Sequence, residues 1–254
     1  MLTPIDRNLA LQKTTDLLRW SNVAALERGW DARAKVAARF ILPGARVLDL
    51  GCGRMALRRF LSEQCSYRGC DLVAREPDTI VCNFNAGEFP DEAAQAADVV
   101  VMLGVLEYIV DVDAFLGRLR QAGRHVVVSY SPREWSAGID RAALGWFNAL
   151  SLRDLALLFA RSGFGVGQVV QVDEVQVLVE LQPAEADLPV CDFAERIAAT
   201  RQLDVRSWSV ARANKSVRVA GRLAAKALRA VFELGVRARR QTADLARTLV
   251  NLAR

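Results

Sequence analysis

The sequence contains a single histidine, His125, in 254 residues. A metal centre built on several imidazoles is therefore excluded, and no metal site is expected. The five cysteines (Cys52, Cys65, Cys70, Cys82, Cys191) include no Cys-x-x-Cys pair, and their number is odd. Such spacing points to neither a zinc site nor a disulfide framework. The expectation is free thiols in a reducing, cytoplasmic setting. No run approaches the ~18 consecutive apolar residues of a transmembrane helix. The opening residues, MLTPIDRNLALQKTTDLLRW, carry charges throughout and lack the apolar centre of a secretory signal. No internal repeat is present.

With 52% hydrophobic residues, the chain has enough apolar material for a substantial core. Its net charge of +5 hides an asymmetry. Residues 201–254 hold 13 Lys/Arg and 3 Asp/Glu, a balance of +10, which leaves −5 for the residues before them. Two different surfaces are implied.

Residues 5–40 read as helix, interrupted near Gly29, with apolar residues at helical spacing. After the Pro43-Gly44 turn, strands and helices alternate. Residues 46–50 form a first strand, followed by a glycine turn and a helix over 54–62. Further strands are predicted over 67–71, 79–82, 97–103 and 125–130, with a helix over 112–121. The run at 97–103 is apolar almost throughout, as suits a strand covered on both faces. Ser151-x-x-Asp154 has the form of a capping box before a helix to Arg161, and Gly163 ends it. Residues 166–171 and 175–181 alternate polar and apolar, and read as an antiparallel pair at a sheet edge. The expected fold class is α/β: a Rossmann-like mixed seven-stranded sheet with helices on both faces. The domain reading is an N-terminal helical lid over 1–40, a sheet domain over 41–183 and a basic helical extension over 190–254.

The central motif is Val47-Leu48-Asp49-Leu50-Gly51-Cys52-Gly53. It sits where a strand meets a helix at the carboxyl edge of the sheet, the usual ligand position in open α/β folds, so a helix amino end is expected to face the ligand. Gly51 and Gly53 permit a tight turn and a close ligand approach. A bare Gly-x-Gly is a weak signal. Asp49 sharpens it, because a carboxylate there can hold the cationic end of a ligand. A nicotinamide enzyme would more typically show Gly-x-Gly-x-x-Gly, and Ala56 stands at the third place here.

This segment resembles the class I S-adenosylmethionine-dependent methyltransferases over about residues 40–182. The resemblance implies S-adenosylmethionine (SAM) as cofactor, with Gly51, Cys52 and Gly53 against its methionine and ribose parts and Asp49 beneath the methionine end. Asp71 would hold the ribose hydroxyls by charge-assisted bonds, with Glu76 as the alternative. Asn83 stands where the family often has an Asp that accepts from the adenine amino group; an amide oxygen can accept the same bond. Phe84 would stack on adenine or pack in the core. Met55 replaces a frequent third glycine. Gly104 would let the chain pass close to the methionine.

Glu107 and Tyr108 are the candidate catalytic residues, with Tyr130 and Ser131 as further groups near the donor. His125 reads as structural. The irregular stretch 133–150 carries Trp135, Arg141, Trp146 and Asn148, side chains that suit a sugar or another polar ring. Together with the Gly-Val-Leu-Glu-Tyr, Ser-Tyr-Ser and Gly-Trp-x-Asn runs, it resembles methyltransferases of polysaccharide biosynthesis. The implied acceptor is a small polar molecule, such as a saccharide or a lipid-linked sugar. Trp20 and Trp30 would cover the cofactor or join the core.

Two other functions stay open from sequence. One is a non-catalytic binding or scaffolding protein on a methyltransferase fold. The other is an RNA methyltransferase anchored by its basic end. Residues 204–254 suit a protein contact or a peripheral contact at the inner face of a membrane, since Ala220, Leu223, Ala227 and Leu234 make an apolar stripe beside Arg218, Arg222 and Lys226. Nucleic acid is disfavoured, because aromatics for base stacking are scarce there.

Overall fold

A computed structural model describes residues 15–22, 26, 30–184 and 193. All of them belong to one unit, Met1–Thr200. The basic stripe at 204–254 lies outside the described residues, as does Cys191.

The strands are β1 (Arg46–Leu50), β2 (Ser66–Asp71), β3 (Ile80–Val81), β4 (Val99–Leu103), β5 (His125–Tyr130), β6 (Phe164–Gln171) and β7 (Val177–Pro183). They form one sheet in the order β3-β2-β1-β4-β5-β7-β6. The first five run parallel, and β7 and β6 close the sheet antiparallel. The α-helices are α1 (Leu17–Ser21), α2 (Asp31–Ala37), α3 (Asp91–Ala96), α4 (Val112–Ala122) and α5 (Leu152–Arg161).

β4 is apolar at every position because both of its faces are covered. Val100 and Met102 join Leu48 and Leu50 in one core, which Leu116, Leu119 and Leu155 of α4 and α5 complete. Val99, Val101 and Leu103 point into a second core with Val47, Leu57 and the α2 residues Ala34 and Ala37. The capping box on α5 is formed. The Asp154 N–H donates to Ser151 Oγ at 3.1 Å, and the Ser151 N–H donates to Asp154 Oδ2 at 2.9 Å.

Three expectations change. The helix over 54–62 is only a 3-10 turn, Leu57–Phe60. Met55 adopts φ +52°, the left-handed region, which an α-helical ladder does not pass through. The α-helix amino end expected to face the ligand is therefore absent from this turn. α3 was not anticipated, because its six residues bury only Ala94 and so carry no apolar period. Among the described residues, 5–40 gives two short helices, Leu17–Ser21 and Asp31–Ala37, in keeping with the interruption near Gly29, but the second gives way to a 3-10 turn over Ala38–Phe40.

The chain passes from β1 to β2 and β3 on one side, then crosses to β4 on the other. β1 and β4 thus flank the topological switch point, where a crevice opens at the carboxyl ends of the strands.

Candidate cofactor site

That crevice is a cleft of about 1020 Å³, including the solvent at its mouth. Asp49, Gly51, Cys52, Gly53, Asp71, Asn83, Gly104 and Tyr108 all line it. Four loops bring together residues that are up to 59 positions apart in sequence.

The glycine turn is fixed from both sides. Gly51 has φ +68° and Gly53 has φ +51°. The N–H groups of Gly51 and Cys52 donate to the Cys70 carbonyl at 2.8 and 3.0 Å. A Cβ on Gly51 would overlap the Val105 Cγ2 methyl, whereas one on Gly53 would meet nothing tight.

Asp49 is buried at the end of β1 and accepts from the Tyr67 hydroxyl at 2.8 Å. Burial pushes its pKa up to about 7, and the Asp71 charge adds to the rise; the Tyr67 bond and Arg33 work against it. Asp71, also buried, ends β2. Its Oδ2 accepts from the Gly53 N–H at 2.6 Å, and its Oδ1 accepts from the Leu72 N–H at 2.7 Å and from Arg75 at 3.2 Å. Glu76 instead pairs with Arg58 at the surface and does not line the cleft. The Cys52 thiol lies 3.9 Å from Asp71 Oδ2, and its pKa is pushed up by burial and by Asp49 and Asp71. It is a wall of the site and not a nucleophile.

Asn83 caps the 3-10 turn Phe84–Ala86. Its Oδ1 accepts from the Asn85 N–H and from the Thr15 hydroxyl, each at 3.2 Å. Asn85 ties this loop to the one after β4: its Nδ2 donates to the Tyr108 carbonyl at 2.9 Å, and its Oδ1 accepts from the Val110 N–H at 2.9 Å. Phe84 does both things open to it. It lines the cleft, and its ring packs 5.2 Å from that of Phe115.

Gly104 has φ +67°, and the Arg33 guanidinium occupies the space its side chain would take. Arg33 stacks on the Trp30 ring at 4.8 Å. Burial lowers its pKa, while Glu107, Tyr108 and Asp49 draw it back up. The Arg33 guanidinium thus shares the cleft with the buried acids Asp49 and Asp71. Beside it, the Trp20 ring meets Tyr108 edge-on at 4.9 Å and lies 6.4 Å from Trp30.

The two catalytic candidates part company. Tyr108 lines the cleft, with the Trp20 ring packed against it. Burial pushes its pKa up to about 12, with Glu107 adding to the rise, so it is a hydrogen-bond donor through neutral pH. Glu107 is buried and does not line the cleft. Its Oε1 accepts from the Ser131 N–H at 2.9 Å, while Oε2 meets no partner, and burial raises its pKa. His125 lies at the start of β5, 3.0 Å from Glu180 and outside the cleft.

The saccharide-binding set is spent on the fold. All five Arg141 N–H bonds are used internally: to the Asn148 carbonyl (3.1 and 3.0 Å), the Ser131 carbonyl (3.0 Å), Ser136 Oγ (2.5 Å) and the Tyr130 hydroxyl (3.1 Å). Asn148 accepts from the Tyr130 hydroxyl at 2.6 Å and donates to the Leu106 and Ile109 carbonyls. These bonds brace the loop after β4 from behind. None of Trp135, Arg141, Trp146 and Asn148 lines the cleft.

Sequence reasoning missed Tyr67, Arg75, Asn85 and Arg33. Only Arg33 left a signal. It follows Trp30 by three and precedes Ala37 by four, the spacing of one helix face.

The sequence finds no match among curated proteins. The fold has solved counterparts. One belongs to the complex between the Haloferax volcanii Trm112 methyltransferase activator and a methyltransferase (15% identity, TM-score 0.50, 73% of this chain and 100% of that one). Another is human N-acetylserotonin methyltransferase in complex with SAM (16% identity, TM-score 0.50, 66% of this chain and 56% of that one). A family model described as a methyltransferase domain matches residues 23–169, more than half the chain, and spans every cleft residue discussed above except Thr15 and Trp20. The chain therefore belongs to the methyltransferase-domain family and is a class I SAM-dependent methyltransferase.

Proposed function

We propose that the chain methylates a small polar acceptor that reaches the cleft beside Tyr108. The observation that carries this is the convergence of Asp49, Asp71, Arg33, Gly51 and Gly104 on one crevice at the switch point of the sheet.

The residues fit the cofactor. SAM is a zwitterionic amino acid at one end and a vicinal diol further along. A buried acid for the ammonium (Asp49), a guanidinium for the carboxylate (Arg33) and a second buried acid for the diol (Asp71) form a complementary set. Gly51 and Gly104 keep side chains out of the path, and the Phe84 ring face and the Asn83 NH2 group are offered to the base, since Asn83 Oδ1 already accepts two bonds. When bound, SAM supplies a methyl group already activated on a sulfonium, so the protein's task is to position groups and exclude water.

Tyr108 orients the acceptor by donating its hydroxyl proton, because burial keeps the phenol protonated. Glu107 is a positioning residue. It braces the start of the 131–150 segment through the Ser131 N–H and does not remove the acceptor's proton. With no imidazole in the cleft, an amine or a readily ionised hydroxyl suits the site better than an ordinary alcohol. Arg141 and Asn148 give the saccharide reading no support. The acceptor is thus best described as a small polar molecule.

The test is calorimetric titration of the full chain with S-adenosylhomocysteine (SAH), followed by labelled-methyl transfer into fractionated cell extract with mass spectrometry of the product. Asp71→Ala should weaken SAH binding severely. Unchanged affinity in that variant would remove the ribose assignment.

A further inference from the structure

Arg75 lies in the loop between β2 and β3 and has no part in the chemistry above. Its side chain is only 8% exposed. Nη2 has two hydrogens: one reaches Asp71 Oδ1 at 3.2 Å, and the other reaches the Trp20 carbonyl at 2.8 Å. Its Nε is buried and meets no acceptor. One nitrogen thus bridges the proposed ribose carboxylate and the last turn of α1.

α1 depends on such contacts. It has five residues, buries none of them, and leaves Leu18 82% exposed. A helix needs ~12–15 residues to be even marginal alone. Besides Arg75, other polar and aromatic contacts hold residues 15–20 in place. Arg19 donates to the Leu144 carbonyl at 2.8 Å, Thr15 meets Asn83 and Asn85, and Trp20 meets Tyr108. None of these reaches Asp71. Thr15 and Trp20 themselves line the cleft.

We propose that Arg75 is a positioning residue that couples cofactor occupancy at Asp71 to closure of residues 15–22 over the cleft. This rests on the cofactor reading above. A diol on Asp71 fixes the carboxylate, the fixed carboxylate orients the guanidinium, and the second Nη2 hydrogen then holds the Trp20 carbonyl. Closure in turn completes a wall around the ligand, so the coupling is reciprocal.

The experiment combines SAH calorimetry with limited trypsin digestion of the full chain, reading cleavage after Arg19. In the wild type, SAH should slow that cleavage. R75M should lose the protection and bind SAH about 5–150-fold more weakly, the usual range of a coupling between sites. R75K keeps the charge and loses the fork, so it should fold while regaining only part of both readouts. In a D71N background, R75M should cost less affinity, because the charge that the guanidinium pairs with is gone. SAH binding and protection equal to wild type in both Arg75 variants would overturn the latch alone, as would a full R75M penalty persisting in D71N. A wild type that binds no SAH would overturn the cofactor reading itself.

Discussion

Asp49→Asn separates what the site needs from what the fold prefers. In the folded chain without ligand, burial and the Asp71 charge raise the Asp49 pKa from 3.8 to about 7. The sign follows directly. The folded state holds its proton more tightly than the unfolded chain, so the contribution is full below the unfolded pKa. It declines as pH rises and is lost once pH passes the folded value. A shift of roughly three units corresponds to about 4 kcal/mol of burden on the native state above neutrality. Asn is nearly isosteric and accepts the same Tyr67 bond, yet carries no charge. Asp49→Asn should therefore stabilise the free protein by about 2–4 kcal/mol at about pH 8, the lower figure allowing for the counter-charge Arg33 loses. The gain should shrink to nearly zero by about pH 4. SAH binding should fall at least tenfold in the same variant, an estimate of about 1.4 kcal/mol for one lost charge-assisted bond. Urea unfolding at several pH values measures the first effect and calorimetry the second. A stability gain independent of pH, or a loss at about pH 8, would refute the reasoning.

Other variants test separate parts of the site. Gly51→Ala places a Cβ on the Val105 methyl at φ +68°, so strain and overpacking together should cost about 2–4 kcal/mol. Gly53→Ala, with open space around it, should cost about 1 kcal/mol; equal losses in chemical denaturation would dispose of the packing argument. Arg141→Ala removes five internal hydrogen bonds and should destabilise by about 2–4 kcal/mol. An unchanged melting temperature with acceptor affinity lost would return that residue to the acceptor site. Tyr108→Phe should lower kcat while leaving SAH affinity intact, and a basic limb in the wild-type pH–rate profile well below about pH 12, missing from the variant, would show that Tyr108 acts as a base.

The parts of the fold legible in the sequence are those where burial imposes a period. β4 reads as a strand because both faces are covered, and α5 reads as a helix because its capping box is local. The glycine turn and the two acids that end β1 and β2 were legible because their spacing reports strand ends. Residues 54–62 were misread because Met55 adopts a conformation that side chains rarely take, and nothing in the residue's identity announces it. Arg141 and Asn148 have the right chemistry for an acceptor. Only the folded arrangement shows that their donors and acceptors are spent on the Tyr130 and Ser136 hydroxyls, the Ser131 and Asn148 carbonyls and the loop after β4. Glu107 follows a strand at the site edge, and one residue of offset decides whether such a side chain faces the cleft or lies behind it.

The features least comfortable for folding gather at this same edge. Asp49 and Asp71 are buried acids close enough to raise the pKa of Asp49. Met55, the one non-glycine residue at positive φ among the described residues, sits in the loop after β1. Arg75 leaves a buried Nε without an acceptor and Glu107 a buried oxygen without a donor. Elsewhere, β4, α4 and α5 follow local propensity and pack without conflict. A sequence under selection for stability alone would relieve such features one residue at a time, since a left-handed non-glycine residue or a buried unpaired group costs on the order of 1–3 kcal/mol. The two buried acids and the left-handed Met55 beside one crevice are therefore an argument for function that is independent of the motif. It also locates the parts that matter. Asp49, Asp71 and the unpaired Arg75 Nε lie at the amino-acid and ribose ends of the proposed ligand and at the latch that closes over it, while Glu107 and the 133–150 segment act as the brace behind them.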